Sequence, residues 1–339
     1  MSDDRGSDDG TEREWGDDRG TDDGAEPELG EDTGWTDDGD EWNDPASLRE
    51  NDPGRDGSAD ATGGRVEAGA DSTLAPWETG VGTGGFLRAF GEAVGVIVLS
   101  LVVALVLALG TGLVMLLAGF EVTSTPTLIV SLTGTQAGFA VGVYAYLRWR
   151  NEPISNLGVA VPDVKGLVLV VGGLLATLAL SLSASIAVTL LELQPAQNAT
   201  TSQAQSDPTS LLLLIPVMLL VVGPCEELLF RGVVQRRIRE RTSAPVAIVL
   251  GGALFASIHF VALIGDLSAV ATTIGILFFP SLVFGAIYEY GKNIVVNALV
   301  HGLYNSVLLA LSYLALQFAP ESAGSDGAAA VLDVIAILL

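Results

Sequence analysis

Cysteine, histidine and lysine are the scarce residues of this chain, with one, two and two copies in 339 residues. A single cysteine, Cys225, excludes an intrachain disulfide framework and a multi-cysteine zinc site. It lies beside an apolar run and reads as a small buried thiol rather than a nucleophile. The two histidines, His259 and His301, are too far apart for the His-Glu-x-x-His helix of the zincins, and no such spacing occurs. Lysine is missing from the first 80 residues, so no basic segment leads into an apolar one there. The N-terminus does not read as a signal peptide.

What is abundant is acid. The chain has 40 Asp and Glu against 16 Lys and Arg, a formal net charge of −24. Residues 1–80 hold 26 of the acids and 6 Arg, whereas residues 81–339 hold 14 acids and 10 bases. Most of the net charge therefore belongs to an N-terminal tail interleaved with Gly, Ser and Thr. Such a segment lacks the apolar surface needed to offset the entropy of ordering, which predicts a disordered acidic tail over 1–84. It would repel nucleic acid and anionic lipid headgroups, so no nucleic-acid partner is expected. Abundant acid with almost no lysine also suits a high-salt cytoplasm, where screening relieves self-repulsion, and points to a haloarchaeal source.

From residue 85 onward the chain is a series of hydrophobic stretches, each near the roughly 20 residues that cross a bilayer. Hydropathy predicts spans near 94–118, 127–147, 166–191, 210–222 with its continuation, 245–264, 269–288 and 293–316. The run 328–339 is short and interrupted by Asp333. The expected fold is all-α: a polytopic transmembrane bundle of about seven spans, with six and eight as neighbouring counts, because open sheets leave backbone groups unsatisfied in lipid. Bases occupy alternate loops, at Arg148, Arg150 and Lys165, then Arg236, Arg237, Arg239 and Arg241, then Lys292. Loops 119–126, 192–209 and 265–268 have neither Lys nor Arg. The positive-inside rule places the N-terminus in the cytoplasm of a multi-pass cell-membrane protein. Pro216, Pro224 and Pro280 fall in or beside spans and predict kinks or breaks.

Ionisable side chains at membrane depth cost a few kcal/mol each, so they persist mainly where they pair or do chemistry. Here they are Glu226, Glu227 and Arg231 beside the fourth span, His259 in the fifth, and His301 with Asn305 in the seventh. Adjacent Glu226 and Glu227 point about 100° apart on a helix and cannot serve one reacting centre. Glu227 and Arg231 stand at i, i+4 with the acid first, the favourable order for a helical ion pair. That assigns Glu227 and Arg231 to structural support and frees Glu226 to face the interior as a general base for water. His259 can hold that water or carry its proton. His301 and Asn305 share a helical face and can converge on a developing oxyanion. Tyr304 reads as packing with a hydroxyl partner. Each element alone has a bland explanation, an interhelical hydrogen bond or an interfacial ion pair.

The blocks Glu226-Glu227-x-x-x-Arg231, Phe255-x-x-x-His259 and His301-x-x-x-Asn305 resemble the three motifs of the CAAX prenyl protease 2 type intramembrane endopeptidases, the CPBP family. Bacteriocin-processing and abortive-infection-like members belong to it. Asn156-Leu157-Gly158 resembles a less specific family feature. The resemblance covers about 85–318, strongest at 209–310, and makes 85–339 the protease domain with a catalytic core at about 209–318. It implies that Glu226 and His259 activate the hydrolytic water and that His301 and Asn305 form the oxyanion site.

Members are often labelled metalloproteases, and Glu226, His259 and His301 can supply three zinc ligands with an open fourth position. The reading preferred here needs no cofactor. The expected partners are the lipid bilayer and a membrane-associated protein or peptide substrate. Relatives remove the C-terminal tripeptide of prenylated proteins or process bacteriocin precursors. The rival reading is a non-catalytic scaffold or proton-coupled transporter using the buried Glu and His residues as a relay. It lacks the internal repeat that common transporter folds carry.

Overall fold

The computed structural model describes residues 83–318. All but the end of the predicted acidic tail, and the whole of 328–339, lie outside them. The described residues form seven helices long and apolar enough to cross a membrane. These are α1 (Gly84–Leu117), α2 (Thr125–Arg150), α3 (Val164–Leu190), α5 (Ser210–Arg239), α6 (Ala244–Ala262), α7 (Leu267–Gly291) and α8 (Ile294–Gln317). A short helix, α4 (Ala199–Ser206), lies between α3 and α5.

One boundary differs from the hydropathy reading. The first helix starts well before residue 94, because the charges that depress hydropathy there are paired. Arg88 meets Glu92 at 3.0 Å one turn away, and Arg237 meets Glu92 at 2.8 Å from α5. The fourth span runs through its continuation as far as Arg239. Pro216 and Pro224 do not break it. Around Pro224 the helix widens into π turns at Met218–Val222 and Leu228–Gln235, where a backbone N–H reaches five residues back, as from Gly223 to Met218. Wide turns absorb the carbonyl that a proline leaves unpaired. Pro280 also sits within an uninterrupted helix.

Three apolar clusters hold the bundle. One joins α1, α2 and α6 to the second half of α5 through Ile97, Phe139, Val143, Phe230, Val234 and Phe255. A second joins α3, α7 and α8 through Val170, Phe284, Val300 and Tyr304. A third packs Leu214, Met218 and Val222 of α5 on Leu309 of α8. Half of the most apolar window of α8 is buried, against 22% for α3. So α8 is central and α3 peripheral. Val102, Leu105 and Leu109 of α1, and Val168, Val171 and Leu175 of α3, are each more than half exposed. Such faces suit hydrocarbon as solvent.

The basic loops gather at one end. Glu92 meets Arg237 and, at 3.8 Å, Arg150. Glu152 pairs with Arg150 at 3.2 Å and with Arg236, and Glu289 pairs with Lys292 at 2.6 Å and Arg239 at 3.5 Å. There too, Leu157 is fully buried, Gly158 takes a left-handed φ of 72°, and its carbonyl accepts from Ile294 N–H at 2.9 Å. This ties Asn156-Leu157-Gly158 to the start of α8. At the other end the contacts are uncharged or acidic, with Gln203 on Thr125 at 3.0 Å and a backbone pairing of Gln197 with Ile264.

Burial pushes the Glu152 carboxyl upward, but hydrogen bonds and charge from Arg236 and Arg150 outweigh it and hold it below the usual range. A depressed carboxylate stabilises the fold above its unfolded pKa of about 4.3 and loses that contribution as pH falls through the lower folded value. Thermal unfolding in detergent should therefore show Tm falling in that acid window. Glu152→Gln should flatten this part of the dependence.

Candidate active site

Helices α5 and α8 meet backbone to backbone. A Cβ on Gly223 would lie 2.8 Å from the Ala298 oxygen and 2.9 Å from the Gly302 nitrogen, and one on Gly302 would lie 2.8 Å from Leu219 Cα. Small residues permit this approach. It brings the turn after Gly223, with both glutamates, against the polar face of α8.

Glu227 is fully buried and fully engaged. Its Oε1 accepts from Arg231 Nη1 and from His301 Nδ1, each at 2.9 Å, and its Oε2 accepts from Asn297 Nδ2 at 3.3 Å. Arg231 is 1% exposed; its other arm donates to the Ser281 carbonyl of α7 at 2.9 Å. The guanidinium lies 4.8 Å and 5.2 Å from the ring centroids of Phe255 and Phe284. The ion pair anticipated from i, i+4 spacing is present and ties α5 to α7 and α8.

Glu226 points elsewhere, as a neighbour on the same helix must. It is 7% exposed. Oε1 accepts from Gln136 Nε2 of α2 at 2.9 Å, and Oε2 lies 3.9 Å from His301 Nε2. That separation is too long for a hydrogen bond.

Both imidazoles have one nitrogen committed. His301 Nδ1 faces the Glu227 carboxylate, and His259 Nδ1 lies 3.0 Å from the Phe255 carbonyl. Those oxygens only accept, so each Nδ1 carries the proton. In the neutral ring Nε2 is then a lone pair. His301 Nε2 can donate to an oxyanion only as imidazolium, a condition the sequence did not reveal. His301 is buried and stacks on Phe284 at 4.7 Å, while His259 is partly buried where α6 tightens into its final turn. The Phe255 ring touches both, with centroids 5.0 Å from His259 and 5.8 Å from His301. His259 makes no hydrogen bond or ion pair with Glu226 among the described residues.

Asn305 lies one turn beyond His301, half-buried, with its amide 3.8 Å from the Met218 sulfur. Tyr304 bonds the Ser181 hydroxyl of α3 at 2.7 Å, the hydroxyl partner expected of it. Cys225 is half-buried against the α1–α2–α5 cluster. Charge counting places two carboxylates against one guanidinium. The donor set does not fit a zinc ion. No group of three or more His, Cys, Asp or Glu among the described residues could hold a metal ion, and Glu227 and one His301 nitrogen bind each other.

Sequence reasoning missed Asn297 and Gln136. Asn297 had a signal, since Asn297, His301 and Asn305 form a line at i, i+4, i+8 on α8. Gln136 had none, because its partner is 90 residues away.

The fold and this cluster define a multi-pass helical membrane protein with a carboxylate–imidazole centre enclosed between its spans. Residues 208–307, which contain all three motif blocks, match the family model described as type II CAAX prenyl endopeptidase Rce1-like. Comparison with curated proteins and with solved structures finds no match.

Two substitutions probe the supports. Arg231→Met leaves a buried carboxylate uncompensated and should destabilise the protein by about 3–5 kcal/mol, with much of the loss recovered by adding Glu227→Met. Gly223→Ala forces a methyl onto the α8 backbone and should cost about 1–3 kcal/mol. Unfolding in detergent measures both.

Proposed function

We propose that this protein is an intramembrane endopeptidase that hydrolyses peptide bonds of membrane-associated proteins, with Glu226 activating water. The observation that carries the reading is the pair of atoms facing each other across 3.9 Å, Glu226 Oε2 and His301 Nε2, inside the segment that matches an endopeptidase family. At that separation one water can bridge the two atoms at hydrogen-bond distance from each. Glu226 takes its proton as the water oxygen attacks the scissile carbonyl carbon. The carbonyl oxygen gains the negative charge and is met by His301 Nε2–H, in the imidazolium form backed by Glu227, and by the Asn305 carboxamide. Glu226 then passes its proton to the leaving amine. His259, with its Nδ1 proton committed, offers Nε2 as an acceptor that helps hold the water. Glu227 and Arg231 support the site without touching substrate. No metal takes part in this scheme.

The clustered bases support a cytoplasmic orientation for the end bearing Arg236–Arg241 and for the N-terminus. Substrate then reaches Glu226 from that side or laterally between helices.

The test is cleavage of a quenched fluorescent peptide by the full chain in detergent. Glu226→Gln should lower turnover by about 10²–10⁴, the range for a general base, and Asn305→Ala by about 10²–10³, both with unfolding temperatures near wild type. A chelator should leave the rate unchanged. Equal turnover in wild type and Glu226→Gln removes the mechanism. Proton-coupled flux in vesicles without any cleavage favours the relay reading instead.

A further inference from the structure

The family match begins at residue 208, yet one partner of Glu226 comes from well before it. Gln136 is 3% exposed in the middle of α2 and donates to Glu226 Oε1 at 2.9 Å. A carboxylate only accepts, so the nitrogen of the amide must face it. The terminal torsion of a glutamate is otherwise broad, and its two oxygens interchange freely. In this site they are distinguished. One is held by Gln136, and the other is the oxygen turned toward His301.

The fold places Gln136 by packing the opposite face of α2. Gly134, Gly138 and Gly142 recur every four residues against α1. A Cβ would lie 2.7 Å from Thr111 Oγ1 at the first, 2.3 Å from Ala104 Cα at the second and 2.0 Å from Ser100 Oγ at the third. Two residues along a helix is a rotation of about 200°. Gln136, midway between Gly134 and Gly138, therefore faces away from α1 and toward α5. Its own Oε1 is buried without a hydrogen-bond partner among the described residues. Burying that acceptor unpaired costs about 1–3 kcal/mol, so a glutamine is an expensive choice for mere filling.

We propose that Gln136 is a positioning residue for the hydrolytic reaction: it fixes the Glu226 carboxylate so that Oε2 is the oxygen presented to water. This rests on Glu226 acting as the base.

The experiment uses the full chain in detergent with the fluorescent peptide. Gln136→Met keeps length and bulk but removes the donor, and Gln136→Glu keeps the shape but donates only when protonated. For Gln136→Met, kcat should fall about 10- to 100-fold, the rate equivalent of one hydrogen bond to a charged group, with KM and the unfolding temperature close to wild type. For Gln136→Glu, the ratio of kcat to that of wild type should rise as pH is lowered, while the Gln136→Met ratio stays flat. A packing role would move KM or unfolding temperature and give no pH-dependent recovery. Wild-type kcat in folded Gln136→Met overturns the role of Gln136 and leaves Glu226 as the base. Equal turnover in wild type and Glu226→Gln overturns both.

Discussion

Burying Arg231 beside Glu227 takes two charges out of water, at a cost of several kcal/mol per ion before their attraction is counted. The arrangement is tolerable because the remaining valences are met: Ser281 O, Asn297 Nδ2 and His301 Nδ1 complete the coordination of the pair. Each partner belongs to α7 or α8. The electrostatic demand of one ion pair on α5 thus dictates where two other spans stand, and the His301 ring is held where it is as part of that settlement.

The same constraint separates two chemically identical neighbours. Glu227 is surrounded by one guanidinium and two further donors, His301 Nδ1 and Asn297 Nδ2. Glu226, rotated about a quarter-turn onward, meets a neutral amide on one oxygen and a more distant imidazole on the other. Its Oε2 is left without a hydrogen bond in this arrangement.

Much of this was legible in the chain. The number of spans followed from hydropathy, the Glu227–Arg231 pair from i, i+4 spacing, and the Tyr304 partner from the general behaviour of buried phenols. Local charge pairing hid the early start of α1, since Arg88 and Glu92 count against a span only until they neutralise each other. The prolines suggested kinks or breaks, and widened turns carry α5 past Pro224 without a break. Long-range partners were out of reach. Gln136 in α2 looks like any polar residue in a span until α5 is packed against it. The protonation pattern of the two imidazoles likewise depends on which oxygen each Nδ1 meets, and that is a tertiary fact.

The widened turns of α5 carry a further implication for how this chain can change over time. A π turn accommodates surplus length within a continuous helix. Losing one residue between Met218 and Val222 would let that turn close to ordinary α geometry while the residues beyond it keep their direction, so Glu226 and Glu227 would stay on their own sides. The same loss in a stretch of plain α-helix, which has no slack, would swing everything after it by about 100°. The fourth span therefore tolerates a change in residue count only where its coil is already loose.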